Sequence, residues 1–160
     1  MGEGGLRFHI AGFPVAVPLG GILGVLLIAY LWTPNFTEPG RSGIVLAAVF
    51  AVLLYAGVLV HELAHAWAAR AFGYPVHGIT LWLLGGYTVY ERRTSRPWPE
   101  LVIAIIGPVS TLLLAGLCWV LAEATTGSAS LLLGALAWTN GLLGILNLLP
   151  GAPLDGGGVV

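Results

Sequence analysis

A long apolar segment that carries ionisable residues near one end constrains this chain more than any other feature. Residues 44–60 contain no charge, and the motif His61-Glu62-x-x-His65 follows directly, set among leucine, alanine and tryptophan. A run of this length predicts a membrane-spanning helix. An ionisable group inside such a helix costs about 2.5–3.5 kcal/mol on insertion scales, so it persists mainly where it forms a site or lines a wet cavity. Residues 43–72 are therefore predicted to span a membrane and to carry a functional site.

The spacing of the two histidines is typical of a metal site. Residues four apart on an α-helix share one face, so His61 and His65 can both present an imidazole nitrogen to one tetrahedral cation, most often zinc. Glu62 falls beside them, where it can take a proton from a water activated by the metal. In a soluble helix the same letters would more often be an exposed polar pair, but the apolar setting disfavours that interpretation.

The rest of the chain agrees with a membrane assignment. Hydrophobic residues make up 58% of the sequence and charged residues 8%, whereas a soluble domain carries about 25% charged residues. We predict an all-α polytopic membrane protein, with a single domain over residues 1–160 and about four transmembrane helices. Their predicted positions are residues 15–32, 43–72, 101–122 and 131–149, with a turn cluster at residues 33–42.

Residues 76–90 show a different pattern. Two β-rich runs flank Gly85 and Gly86, a pair typical of a two-residue hairpin turn. Because the segment is too apolar for an exposed loop, we predict a small membrane-associated β-hairpin beside the metal helix. The alternative is that its leucines only pack on the helices. Near the N-terminus, the alternation of Leu6, Phe8 and Ile10 indicates a strand or an interfacial segment.

The arginines are distributed unevenly between the two predicted sides of the membrane. Five lie on the side of the N-terminus and of the loop after the second span, and one, Arg41, lies on the other: Arg7, Arg70, Arg92, Arg93 and Arg96 against Arg41. This bias predicts a multi-pass protein whose N-terminus and active site face the cytoplasm. The formal net charge of -1 does not suggest nucleic-acid binding.

Zinc held by two histidines needs one more protein ligand and an open position. The candidates are His9, His77, Glu91, Asp155 and Cys118. We select Asp155, the only aspartate, because it follows prolines that end the fourth span at the level of the histidines and because glycines flank it. In isolation it would be taken for a solvated aspartate in a turn. The single cysteine has no partner and is interpreted as a packing residue.

Two motifs in combination resemble the site-2 protease family of intramembrane zinc metalloproteases. They are the HELAH sequence at residues 61–65 and NLLPGAPLDGG at residues 147–157, which matches the family form N-x-x-P-x-x-P-L-D-G. The resemblance implies one zinc per chain on His61, His65 and Asp155, with Glu62 as the general base. It also implies that Asn147 lies near the scissile carbonyl, although this residue can equally serve only in helix packing.

The same resemblance extends to two residue pairs and to the substrate class. The hairpin pair Gly85 and Gly86, and the pair Gly107 and Pro108 in the third span, are similar to the family pattern. With Asn147, Gly85 and Gly86 are the implied substrate-binding or oxyanion residues. The implied function is regulated intramembrane proteolysis of single-span, membrane-anchored proteins in a prokaryotic cell membrane, on a segment that has locally unwound. Family members usually continue beyond the second motif, so the chain is expected to be a truncated core. The sequence leaves open whether it forms a homo-oligomer.

Two other classes of function compete with proteolysis. A divalent-metal transporter also carries intramembrane histidines and acids, but at several depths on several spans. A catalytically silent scaffold has no need of a base at Glu62. Replacing Glu62 with glutamine separates the three functions, because only a protease loses all its activity while retaining its metal.

Overall fold

The computed structural model describes residues 4–37, 43–83, 85–91, 97–149 and 158–159. The described helices are α1 (Leu19–Phe36), α2 (Ile44–Ala71), α3 (Pro97–Glu123) and α4 (Gly127–Leu148). Each of the four is long and apolar enough to cross a membrane. The predicted class, a polytopic helical membrane protein, is confirmed.

The first span begins and ends later than predicted. Residues 15–17 belong to a strand, because alternating valines between Pro14 and Pro18 pair with neighbouring chain segments and do not enter the helix. At the other end, helix α1 continues to Phe36 through the predicted turn at Thr33 and Pro34. The Thr33 hydroxyl donates to the carbonyl of Ala29 at 2.8 Å, a bond within the last turns of this helix.

A small sheet packs against one end of α2. Its strands are β1 (Gly5–Ile10), β2 (Phe13–Pro18), β3 (Val76–Trp82), β4 (Gly85–Tyr90) and the two-residue β5 (Gly158–Val159), in the order β1-β2-β3-β4-β5. The N-terminal strand is thus confirmed, and with β2 it makes the sheet larger than the predicted hairpin. The side chains of Phe13, Val15 and Ile79 are buried between the sheet and the helices.

The hairpin of β3 and β4 is confirmed, but its turn is not where the sequence predicted it. Gly85 pairs with Trp82 and Gly86 pairs with Leu81, so both glycines lie within β4. The predicted turn position was wrong because a glycine can also be required inside a strand, where a neighbouring side chain leaves no room for a Cβ. Here Gly86 is needed in the strand, since a Cβ at this position would lie 2.7 Å from Cγ of Glu62.

Helix α2 is the central element, and it contacts all three other described helices as well as β3 and β4. His61 of α2 contacts Thr111 of α3, and His65, further along α2, contacts the earlier residue Ile103, so these two helices are antiparallel. Helices α3 and α4 are antiparallel as well, with Gly144 against Pro108 and Ser130 bonded to Ala122. Helices α2 and α4 therefore run in the same direction.

Exposed tryptophans lie near both ends of α3. Trp98 is 66% exposed and Trp119 is 61% exposed. They are separated by about 32 Å along the helix, which is close to the roughly 30 Å thickness of a bilayer core. Tryptophans are enriched where the hydrocarbon core meets the headgroups, so the spacing of these two side chains agrees with a helix that crosses a membrane.

Candidate metal centre

The two histidines of α2 point at the same place. His61 and His65 are 5% and 8% exposed, and their Nε2 atoms lie 3.0 Å apart. They lie one helical turn apart on the face of α2 that packs against α3, as the spacing predicted. Neither nitrogen belongs to a surface pair, because both rings are buried within the protein.

Hydrogen bonds at the opposite ring nitrogens determine which tautomer each histidine adopts. His65 Nδ1 lies 2.7 Å from the carbonyl oxygen of Ile103, which can only accept, so this Nδ1 carries the proton. His61 Nδ1 lies 2.8 Å from the hydroxyl oxygen of Thr111. Since that hydroxyl donates its one proton to the carbonyl of Gly107 at 3.2 Å, it accepts from His61. In their neutral forms, both histidines therefore direct an Nε2 lone pair at the same point.

Two converging lone pairs fit a metal ion. Two imidazole nitrogens on a tetrahedral zinc, each at about 2.0–2.1 Å from the metal, are about 3.3 Å apart, which is close to the distance found here. Second hydrogen bonds from Nδ1 are what metal-ligating histidines usually have. Within the described residues, no group of three or more His, Cys, Asp and Glu side chains could hold a metal. Asp155, the predicted third ligand, lies outside the described part of the chain.

Gly107 leaves the space that such an ion needs. A Cβ at this position would overlap the Nε2 atom of His65 and lie 2.9 Å from Nε2 of His61. Only a glycine allows α3 to approach this closely while both rings keep their Nδ1 bonds to the same helix. Gly107 therefore lies directly against the histidine pair.

Glu62 is held by the hairpin. It is 5% exposed, and the hydroxyl of Thr88 on β4 lies 2.7 Å from its Oε2 and 3.1 Å from its carbonyl oxygen. Gly86, two residues earlier and on the same face of β4, packs against its Cγ. Gly86 and Thr88 of β4 therefore hold the Glu62 carboxylate next to the histidine pair.

A cavity of about 60 Å³ connects these groups with α4. It brings together five of the predicted site residues, which are His61, Glu62, Gly85, Gly86 and Asn147. Its other lining residues were not predicted as site residues: Gly57, Val58, Thr111, Asn140 and Leu143.

The sequence contained a signal for one of the missed residues. Asn140 precedes Asn147 by seven residues, so both lie on one face of α4. Nothing in the sequence pointed to Thr88 and Thr111, because their contacts depend on how β4 and α3 pack against α2.

The remaining candidate ligands lie elsewhere. His9 and His77 line a separate depression on the outer face of the sheet. Cys118 is buried in an apolar cluster with Phe50 and Leu54, which agrees with its interpretation as a packing residue.

Comparison with known proteins shows that the chain is similar to zinc metalloproteases. Peptidase family M50 matches residues 49–131, which include the histidine pair and Thr111. The chain is 39% identical over 167 residues to the putative zinc metalloprotease Rip3 of Mycobacterium tuberculosis, a match that covers 91% of this chain and 42% of that protein. It is 41% identical over 125 residues to the putative zinc metalloprotease sll0528 of Synechocystis, covering 76% and 32%.

A solved structure resembles the fold over nearly the whole chain. The site-2 protease from Methanocaldococcus jannaschii superposes with a TM-score of 0.73 at 28% identity, covering 96% of this chain and 68% of that one. The chain spans less than half the length of the two curated relatives named above.

Proposed function

This chain belongs to peptidase family M50 and to the site-2 proteases within it, and on that premise we propose that it is an intramembrane zinc endopeptidase. One observation carries the proposal: two Nε2 lone pairs converge at 3.0 Å beside a buried carboxylate, inside a helix apolar enough to cross a membrane. His61, His65 and Asp155 would hold one zinc ion per chain. Zinc bound there would supply the Lewis acidity for peptide hydrolysis, by lowering the pKa of a water and polarising the peptide carbonyl.

Glu62 is the general base in this proposal. Its carboxylate accepts the proton of the attacking water and then passes it to the leaving amine. The hydroxyl of Thr88 donates to Oε2 and holds the carboxylate in one orientation. The Nδ1 bonds of the two histidines keep both rings from rotating while that transfer takes place.

The substrate is a membrane-anchored protein with a single span, cut where its helix has unwound. In an intact helix the carbonyl is hydrogen-bonded to an N–H four residues on, and unwinding leaves backbone groups that need partners inside a bilayer. Strand β4 can provide them by β-augmentation. Among the described residues, the edge of β4 that faces away from β3 pairs only with β5, at Val89 and Tyr90. Gly85 and Gly86, at the other end of the strand, border the cavity.

Asn147 also lines the cavity, where its carboxamide can bind the scissile carbonyl or the adjacent peptide. The arginine distribution supports a cytoplasmic orientation for the N-terminus and the active site. The bacterial relatives named above support a prokaryotic cell membrane. The N-terminal hairpin and the C-terminal end of α2 lie together, because Arg70 donates to the carbonyl of Gly12 at 3.1 Å. This contact is what the predicted topology requires of two segments on one side of the membrane.

The test compares wild type with Glu62→Gln in liposomes. The probe is a synthetic single-span peptide of leucine and alanine, with an Asn-Gly pair in one half to promote unwinding. We expect wild type to cleave it only after zinc has been supplied, and Glu62→Gln to bind the same amount of zinc without cleaving. Undiminished cleavage by Glu62→Gln, or zinc-independent cleavage by wild type, would overturn the proposal.

A further inference from the structure

Asn140 is a polar side chain in the middle of a membrane-spanning helix. It is 2% exposed and lies on α4, opposite Gly57 of α2. A buried carboxamide at this depth is costly unless its donor and its acceptor both have partners. The partners of its two polar atoms therefore bear on what the residue does.

The donor of Asn140 has a partner within its own helix. The nitrogen Nδ2 donates to the carbonyl oxygen of Leu136 at 2.8 Å. That carbonyl can only accept, so the orientation of the carboxamide is not ambiguous: the nitrogen faces Leu136 and the oxygen faces the other way.

The acceptor of Asn140 points toward α2 and the cavity. A Cβ on Gly57 would lie 2.8 Å from Oδ1, and both residues line the cavity that contains His61 and Glu62. Within the described part of the chain, this oxygen accepts no hydrogen bond. The acceptor oxygen of this buried side chain is thus accessible from the cavity of the candidate active site, one helical turn along α2 from His61.

Asn147 lies on the same face of α4 and lines the same cavity. The seven residues between the two asparagines correspond to about 10 Å along the helix axis. An extended peptide covers that distance in about three residues. The spacing therefore matches a short extended segment that runs along α4.

We propose that Oδ1 of Asn140 is a substrate-binding group that accepts a hydrogen bond from a backbone N–H of the unwound substrate segment. In the bound substrate, this N–H lies about three residues away from the peptide group that contacts Asn147. The ligand class is an extended stretch of a transmembrane segment whose N–H groups have lost their helical acceptors. This inference rests on the proposed function, because it places a contact within the same site.

The alternative is a purely structural role, in which the oxygen only contacts the backbone of Gly57. Binding measurements in the Glu62→Gln background separate the two roles, since that variant does not consume the peptide. The probe is the leucine-alanine peptide described above, together with a series in which single amides of the unwound half are replaced by esters. Each ester removes one N–H.

The variant Asn140→Leu removes the carboxamide and keeps the branch at Cγ, and Asn140→Ala serves if the larger leucine does not fold. Thr139→Val is the matched control, because it removes a neighbouring hydroxyl of α4 that bonds Ala135 and does not line the cavity. We expect Asn140→Leu to weaken binding of the all-amide peptide roughly 3- to 10-fold. For one ester position this loss should disappear, as a double-mutant cycle requires of two interacting groups.

The same loss at every ester position, or no loss at all, would overturn the inference and leave Asn140 a packing residue. Wild-type cleavage of the all-amide peptide is measured in parallel. If wild type does not cleave while the coupling is present, the proposed function fails and the binding site remains. If it cleaves and no coupling appears, only the inference about Asn140 fails.

Discussion

Replacing Gly107 by alanine tests the metal centre without removing a ligand. The new Cβ would overlap Nε2 of His65 and lie 2.9 Å from Nε2 of His61. Neither ring can move aside freely, because both are bonded through Nδ1 to α3, the helix that carries the substitution. Any movement that relieves the overlap stretches the bond to Ile103 or to Thr111.

The size of the effect follows from these distances. A carbon and a nitrogen in ordinary contact are about 3.5 Å apart, and zinc lies about 2.0–2.1 Å from each nitrogen. The methyl group would therefore take up space that the proposed zinc ion and one of its histidine ligands need. Loss of a supporting hydrogen bond alone costs about 10- to 100-fold in metal affinity. We expect Gly107→Ala to reduce zinc affinity at least about 100-fold, or about 2.7 kcal/mol.

The assay is zinc content of the purified chain by elemental analysis, followed by competition against a chelator. Gly116→Ala is the control, because it lies on the same helix and a Cβ there meets nothing within 4 Å. It should retain wild-type zinc affinity and stabilise the helix by about 0.5–1 kcal/mol. Wild-type zinc affinity in a Gly107→Ala chain with the wild-type circular dichroism spectrum would refute the placement of the metal between the two histidines.

Three further predictions concern the third ligand, the base and the hairpin. Asp155→Ala should lose zinc in the same elemental analysis, and retention would locate the third ligand elsewhere. Thr88→Val should lower kcat about tenfold, because it removes the hydroxyl that donates to Glu62. Thr88→Ser keeps that hydroxyl and should have a kcat near the wild-type value, and both variants should keep their zinc. Equal kcat values for the two variants would contradict this prediction. Tyr55→Phe loses the hydroxyl that lies 2.7 Å from the carbonyl of Leu83 in the hairpin turn. It should lower the free energy of unfolding by about 1 kcal/mol and increase proteolysis of the hairpin, and an unchanged Tm with unchanged proteolysis would count against it.

The class of the fold was predictable because hydrophobic length is a strong signal. Helix α2 was located to within one residue at each end, since apolar residues continue up to the Gly73 break. The first span was misplaced because Val15 and Val17 are equally apolar in a strand and in a helix. Hydropathy cannot separate those two states, whereas pairing with β1 and β3 can.

The candidate metal-binding residues were predictable to the extent that their spacing is local. His61, Glu62 and His65 form one motif on one helix, and they lie together in the structure as that motif predicts. The groups that orient them come from other elements. Thr111 is 50 residues from His61, and Thr88 is 26 residues from Glu62. Contacts at such separations follow from packing and leave no periodic trace in the sequence.

The exposed tryptophan at the start of α3 has a consequence for where a substrate is cut. The histidine rings contact α3 between Ile103 and Gly107, about 7–14 Å along the helix from Trp98. A peptide bond reaches this level only if it lies a similar distance below the membrane surface. If the chain cleaves single-span substrates as proposed above, the depth of its site sets the distance between the cleaved bond and the membrane boundary. Substrates with unrelated sequences would then be cut at the same distance from the membrane boundary.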